Sequence, residues 1–290
     1  MILRLPGRVI RFPRRPLVMG IVNVNDDSFS GDGSVDVDES LRHAARQAAA
    51  GADVIDVGAE SARTNRAAIP IADEIERFRG FLEGWRWMRR RVAPVDRVQI
   101  WPPVVSANTW RPEVVSAVVE MGAELVNDMG GLPDARNARI CAEAGAALLI
   151  MHSVGAPKES HTEVRWDDVM AEMRRFFRGK MALAETAGLG EDRLVLDPGI
   201  DFAKQREDNL RVFACLEDLQ RFERPILLPV SRKTVIGDVL GIEDPAQRDA
   251  GTIGCLAAGV MRGAHLFRMH NVEAGWQALK VLHAVERMRH

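Results

Sequence analysis

The chain has 290 residues, 47% of them hydrophobic and 28% charged, the profile of an ordinary globular protein. Its 39 basic and 41 acidic side chains leave a formal net charge of −2, which gives no ground for nucleic acid or an anionic membrane surface as a general partner. No apolar stretch is long and uninterrupted enough to span a bilayer, and the opening MILRLPGRVIRFPRR lacks the apolar core and cleavage site of a signal peptide.

The basic runs at 8–15 and 86–91 read as solvated surface. From residue 17 onward, eight short apolar runs recur at intervals of roughly 20–50 residues, most ending in a polar side chain. LVMGIVN (17–23) ends in Asn23, and a helix from Asp36 or Asp38 to Ala50 follows, with Leu41, Ala44, Ala45 and Ala48 on one face. DVIDVGAE (53–60) carries Asp56 and Glu60. The helix after it, about 72–90, places Ile75, Phe78, Phe81, Leu82 and Trp85 at helical spacing, with Trp85, Trp87 and Trp101 clustered around it. A stripe of this kind reads as core rather than as a cofactor platform. VVSAN (104–108) ends in Asn108, and Pro112 suits the first turn of a third helix. ELVNDMGG (124–131) offers Asn127 and Asp128, and ALLIMH (147–152) ends in His152. A long helix at about 167–188 leads to RLVLDPG (193–199) with Asp197. ILLPVSRK (226–233) ends in Lys233, and AHLFRMH (264–270) carries Arg268 and His270. Residues 206–222, 246–262 and 272–288 supply the remaining helices.

Gly51, Gly122, Gly145 and Gly263 each stand one or two residues before a strand, where a left-handed residue closes a helix and turns the chain into the sheet. Cys141, Cys215 and Cys255 are odd in number and have no CxxC spacing, so they read as thiols of a reducing cytoplasm rather than disulfides or zinc ligands. Alternation of eight β runs with helices over residues 1–290 predicts an α/β fold, a single (β/α)8 TIM-barrel domain whose active site lies at the C-terminal strand ends. The longest irregular pieces, 24–35, 61–70 and 153–165, follow strands and fall on that face.

The predicted site is rich in amides and acids (Asn23, Asp56, Glu60, Asn108, Asn127, Asp128, Asp197), with Lys233, Arg268 and His270 adding cations and donors. A planar heterocycle with a guanidine-like edge wants a carboxylate flanked by amides and a cation, and a leaving diphosphate wants arginine, lysine and a metal ion. The mixture permits both, and physics alone does not choose a substrate. Each residue also has a structural reading. Asp197 in LDPG can cap its turn, His152 reads as a core histidine, and Arg268 can pair with Asp56 or Glu60.

The motifs go further. MGIVNVNDDSFS (19–30), GADVIDVGAESAR (51–63), LVNDMGG (125–131), LIMHSVG (149–155), LDPGIDFAK (196–204), VSRKTVIG (230–237) and RGAHLFRMHN (262–271) resemble, in order, the motifs of the dihydropteroate synthase family. The resemblance implies a pterin pocket in the barrel. It also implies condensation of 6-hydroxymethyl-7,8-dihydropterin diphosphate with p-aminobenzoate or a related amine, SN1-like, with diphosphate leaving first. By match, Asp197, Asn108, Asn127 and Lys233 bind the pterin, while Asn23, Arg63, Arg268 and His270 hold the diphosphate. Asn23 also helps hold Mg2+, and Arg63, Phe202 and Ser231 line the acceptor side. Catalysis is expected of Lys233, Arg268, His270 and Asp197. The family commonly forms homodimers through its last helices, and 272–288 carries Trp276, Leu279, Val281 and Leu282.

The chain departs from the family pattern at several positions. Asn108 stands where an aspartate is usual, and the loop usually reading ESTRPG has Ala62 and Thr64 in ESARTN. Asn25 and Asp26 replace Thr–Pro, GFGK reads Asp201–Phe202–Ala203–Lys204, and Asn271 ends the last strand where Asp is common. A neutral Asn108 cannot favour positive charge on the pterin as a carboxylate does, but an amide suits a different pterin oxidation state. Three functions are therefore weighed: a dihydropteroate synthase, a one-carbon transferase using a pterin or reduced folate as substrate, and a non-catalytic pterin-binding paralogue.

Overall fold

The protein is described by a computed structural model that covers residues 1–25, 33–34, 36–61, 67–159 and 161–289. It opens with an antiparallel hairpin, β1 (Ile2–Leu5) and β2 (Arg8–Arg11). Eight parallel strands follow: β3 (Leu17–Asn23), β4 (Val54–Gly58), β5 (Val104–Asn108), β6 (Leu125–Asp128), β7 (Ala147–Met151), β8 (Leu194–Asp197), β9 (Leu227–Pro229) and β10 (Leu266–Met269). They pair in the order β8-β7-β6-β5-β4-β3-β10-β9, and a bridge between Leu196 and Ile226 brings β8 and β9 together into a ring. Around it run α1 (Val37–Ala49), α2 (Ile71–Met88), α3 (Pro112–Glu120), α4 (Arg136–Ala144), α5 (Val169–Thr186), α6 (Arg206–Ala214), α7 (Thr234–Leu240), α8 (Asp249–Met261) and α9 (Val272–Glu286).

Local chemistry sets the helix ends. Asp36 caps α1 by accepting from the backbone N–H groups of Asp38 and Glu39, and Pro112 opens α3. Gly51, Gly122, Gly145 and Gly263 all take positive φ (110°, 98°, 68° and 81°), as their positions before strands predict. Residues 206–222 divide into α6 and a tighter 3-10 stretch at Leu216–Phe222. Helix α7 has no counterpart in the sequence reading, because seven residues are too few to show a helical period. In α2 Trp85 is buried as expected, but Trp87 is 68% exposed and stacks under Arg90.

The reading of 8–15 as solvated surface is corrected. Leu3, Leu5, Ile10 and Phe12 pack with Leu17, Val54, Val104, Leu125 and Leu266, so the hairpin stoppers the N-terminal end of the barrel. Arg8 reaches Glu124 at 2.6 Å, and Arg15 is buried against Asp53 at 2.9 Å. The alternation of apolar and basic residues, IRFPRR, is what lets one ribbon do both.

Candidate active site at the barrel mouth

Residues i and i+2 of a strand share a face. Val54, Val104, Leu125 and Leu266 lie in the apolar layer above the hairpin. Two positions further on stand Asp56, Ser106, Asn127 and Arg268, and these meet. Fully buried Asp56 accepts hydrogen bonds from Ser106 Oγ at 2.6 Å, Asn127 Nδ2 at 3.1 Å and Arg268 Nε at 2.7 Å. A polar layer thus sits directly on the apolar plug. Of the two readings of Arg268, the pair with Asp56 is present, and Arg268 still borders the space above.

That space is a cavity of about 290 Å³ at the C-terminal end of the barrel. Asn23, Asn108, Asn127, Asp197, Phe202, Ser231, Lys233, Arg268 and His270 all line it. These are nine of the ten residues to which the family resemblance gives a role. The tenth, Arg63, lies outside the described residues, as do Asp26, Asp27, Ala62 and Thr64.

Asp197 ends β8 on the cavity floor. One of its oxygens accepts the Gly199 N–H at 2.7 Å, so the turn-capping reading holds for that oxygen, while the carboxylate still faces the cavity. Burial raises its pKa to about 6, against the pull of the Gly199 N–H, Lys233, Lys204 and Arg268. Lys233 donates to the Ile200 carbonyl at 2.8 Å and lies 5.1 Å from the Phe202 ring centre. Confinement there lowers its pKa, opposed by the charges of Asp201 and Asp197. Ser231 Oγ is 2.8 Å from His270 Nδ1 and accepts the His270 backbone N–H at 3.0 Å, tying the ends of β9 and β10 together.

Other candidates have structural roles. Asp128 is buried, accepts from Gly130 N–H and Asn137 Nδ2 at 2.9 Å each, and does not line the cavity. His152 is a core histidine beside Phe176, its Nδ1 2.8 Å from Lys204 Nζ, with a pKa pushed far down by burial. Glu60 borders the cavity but is tied to Arg111 at 2.7 Å and Lys158 at 3.4 Å. Among the described residues no group of three His, Cys, Asp or Glu could hold a metal ion. The sequence reading missed Asp201 and Thr234, which line the rim beside Lys233. The signal for Asp201 was an acid in place of the glycine of the GFGK string. Asp201, Phe202 and Met129 also border a second cavity of about 250 Å³ behind the rim.

The arrangement offers a buried carboxylate for a donor-bearing heterocycle, with amides and cations round it for a departing anion. The family described as pterin binding enzyme matches residues 19–270. The chain is 34% identical over 270 residues to the dihydropteroate synthase of Escherichia coli (strain K12), covering 93% of this chain and 91% of that protein. It is similar to a crystal structure of Yersinia pestis dihydropteroate synthase with a sulfonamide drug complex, with a TM-score of 0.88 and 30% identity over 99% of this chain and 100% of that one. It is also similar to Xanthomonas albilineans dihydropteroate synthase with 4-aminobenzoic acid, with a TM-score of 0.84 and 34% identity over 99% of both chains.

Proposed function

We propose a reaction from one premise: the chain belongs to the pterin binding enzyme family and, within it, to the dihydropteroate synthases. It joins 6-hydroxymethyl-7,8-dihydropterin diphosphate to p-aminobenzoate or a related arylamine. The bond from the pterin's methylene carbon to the diphosphate oxygen breaks, a C–N bond to the arylamine forms, the amine gives up a proton and diphosphate leaves. The observation that carries this is the convergence of nine predicted site residues on one cavity. The one-carbon transferase and the non-catalytic paralogue are set aside, because the relatives are synthases over nearly the whole length.

In this reading Asp197 accepts hydrogen bonds from the amino–imino edge of the pterin, Asn127 contacts the ring and Lys233 binds its carbonyl. Asp56 holds Asn127 and Arg268 at fixed distances, so the ring contact and the anion contact keep their spacing without reorganising as the bond breaks. Arg268, His270 and Arg63 take the charge of the departing diphosphate. Asn23, an amide oxygen at the end of β3, fits a Mg2+ ion that draws its other ligands from diphosphate and water. When bound there, Mg2+ would neutralise charge on the leaving group. Phe202 and Ser231 border the arylamine.

Asn108 lines the pterin side with an amide where the family pattern has a carboxylate. Loss of that charge costs about 2–4 kcal/mol of transition-state stabilisation, so the rate is low rather than absent. Two copies pair through α9, whose Val281 and Val285 are 64% and 58% exposed, and the enzyme acts in the cytoplasm as a single domain. The test is diphosphate release with mass detection of dihydropteroate, using the pterin diphosphate, p-aminobenzoate and Mg2+, with Asn108→Asp alongside. Product from the unaltered protein, increased in the variant, is expected. No product from either overturns the reading.

A further inference from the structure

The GFGK string of the family is here Asp201–Phe202–Ala203–Lys204, and both replaced glycines keep a glycine's backbone: φ is +68° at Asp201 and +48° at Ala203. L residues resist this region, so the side chain must offset it. Asp201 does so across the mouth of the barrel. Its Oδ2 accepts the Thr234 backbone N–H at 2.6 Å and its Oδ1 accepts that of Val235 at 3.3 Å, while its own N–H donates to Asn209 Oδ1 at 2.8 Å. The carboxylate is therefore fixed in place, half-buried, and it lines the main cavity beside Phe202 and Lys233.

Its position matters for the acceptor. The arylamine nitrogen must reach the pterin methylene carbon above Asp197, so the group opposite the amine points outward past Phe202 to the rim. There Lys233 is the cation nearest the rim, but Asp201, held by the Thr234 and Val235 N–H groups, sets a negative charge beside it. A benzoate carboxylate arriving at that rim faces a like charge that cannot swing away.

We propose that Asp201 is a specificity-determining residue of the acceptor site. It disfavours arylamines with an anionic group opposite the amine and favours those with a neutral, hydrogen-bond-donating group such as a carboxamide. The proposal rests on the synthase reading and deepens it. Asp201→Asn removes the charge and keeps one oxygen to accept the Thr234 N–H, and Asp201→Gly also relieves the backbone.

The experiment measures kcat/KM for p-aminobenzoate and for p-aminobenzamide at saturating pterin diphosphate in the unaltered protein and both variants. The ratio of acid to amide should rise about tenfold in each variant, the scale of one close like-charge contact, with the KM for pterin diphosphate unchanged. A ratio that stays flat in Asp201→Asn while both acceptors turn over overturns the proposal and leaves the synthase reading intact. Failure of both acceptors to release diphosphate in all three proteins overturns the synthase reading, and this proposal with it.

Discussion

Asp53 and Asp56 stand three positions apart at strand β4, each buried and each paired with an arginine, yet they belong to opposite ends of the barrel. Asp53 faces the N-terminal stopper. Besides Arg15, 3% exposed, it takes the backbone N–H groups of Val18 and Ile100, so its partners are an arginine and the main chain. Asp56 faces the mouth. Its partners are the side chains of Ser106, Asn127 and Arg268, two of which line the cavity, and Arg268 is 22% exposed. The same pair of residue types closes one end of the barrel and arms the other. What differs is whether the remaining hydrogen bonds go to main chain, which only holds, or to side chains that reach a ligand.

The comparison can be broken by mutation. Arg15→Ala strands a buried carboxylate and should cost about 3–5 kcal/mol of stability, read by urea denaturation, while kcat of the folded enzyme stays near that of the parent. Asp56→Asn should lower kcat/KM for pterin diphosphate by about 30- to 1000-fold, or about 2–4 kcal/mol. Its loss of stability should be smaller than for Arg15→Ala, since water reaches the freed Arg268. An Asp56 variant that unfolds readily but keeps its activity would abolish the distinction.

A third, smaller effect sharpens it. Burial holds the Asp197 carboxyl at about 6, above its unfolded value. Its contribution to folding is therefore present at pH below 4 and is lost as pH rises through 6. Pterin binding runs the other way, because the ring's N–H donors need the anion. Pterin affinity, followed by calorimetry, should weaken up to about tenfold per pH unit below 6, and Asp197→Asn should flatten that dependence. Nothing at the Asp53 end should alter it.

Much of this was readable from the chain. The eight apolar runs became the eight barrel strands, because a strand buried on both faces needs a continuous apolar string. The four glycines closed helices as predicted, because φ is a local property. Nine predicted site residues came together because strand ends of a parallel barrel all point to one face. The hairpin was misread: RVIRFPRR looks like surface until Arg15 is seen to have a buried partner 38 residues away. The Asp56–Arg268 pair, 212 residues apart, was one of two readings that the sequence left open.

Sequence by itself determined the eight barrel strands, their order and most of the polar groups at the mouth, since periodicity, turn chemistry and strand-end position are short-range. Tertiary structure alone decided how those groups are paired. It placed Asp128 in the wall, made Arg15 a buried cation and turned Asp201 onto the backbone of α7. Each outcome depends on which strands lie side by side after closure, and a polar atom's worth is set by the partner it finds there rather than by its neighbours in the chain.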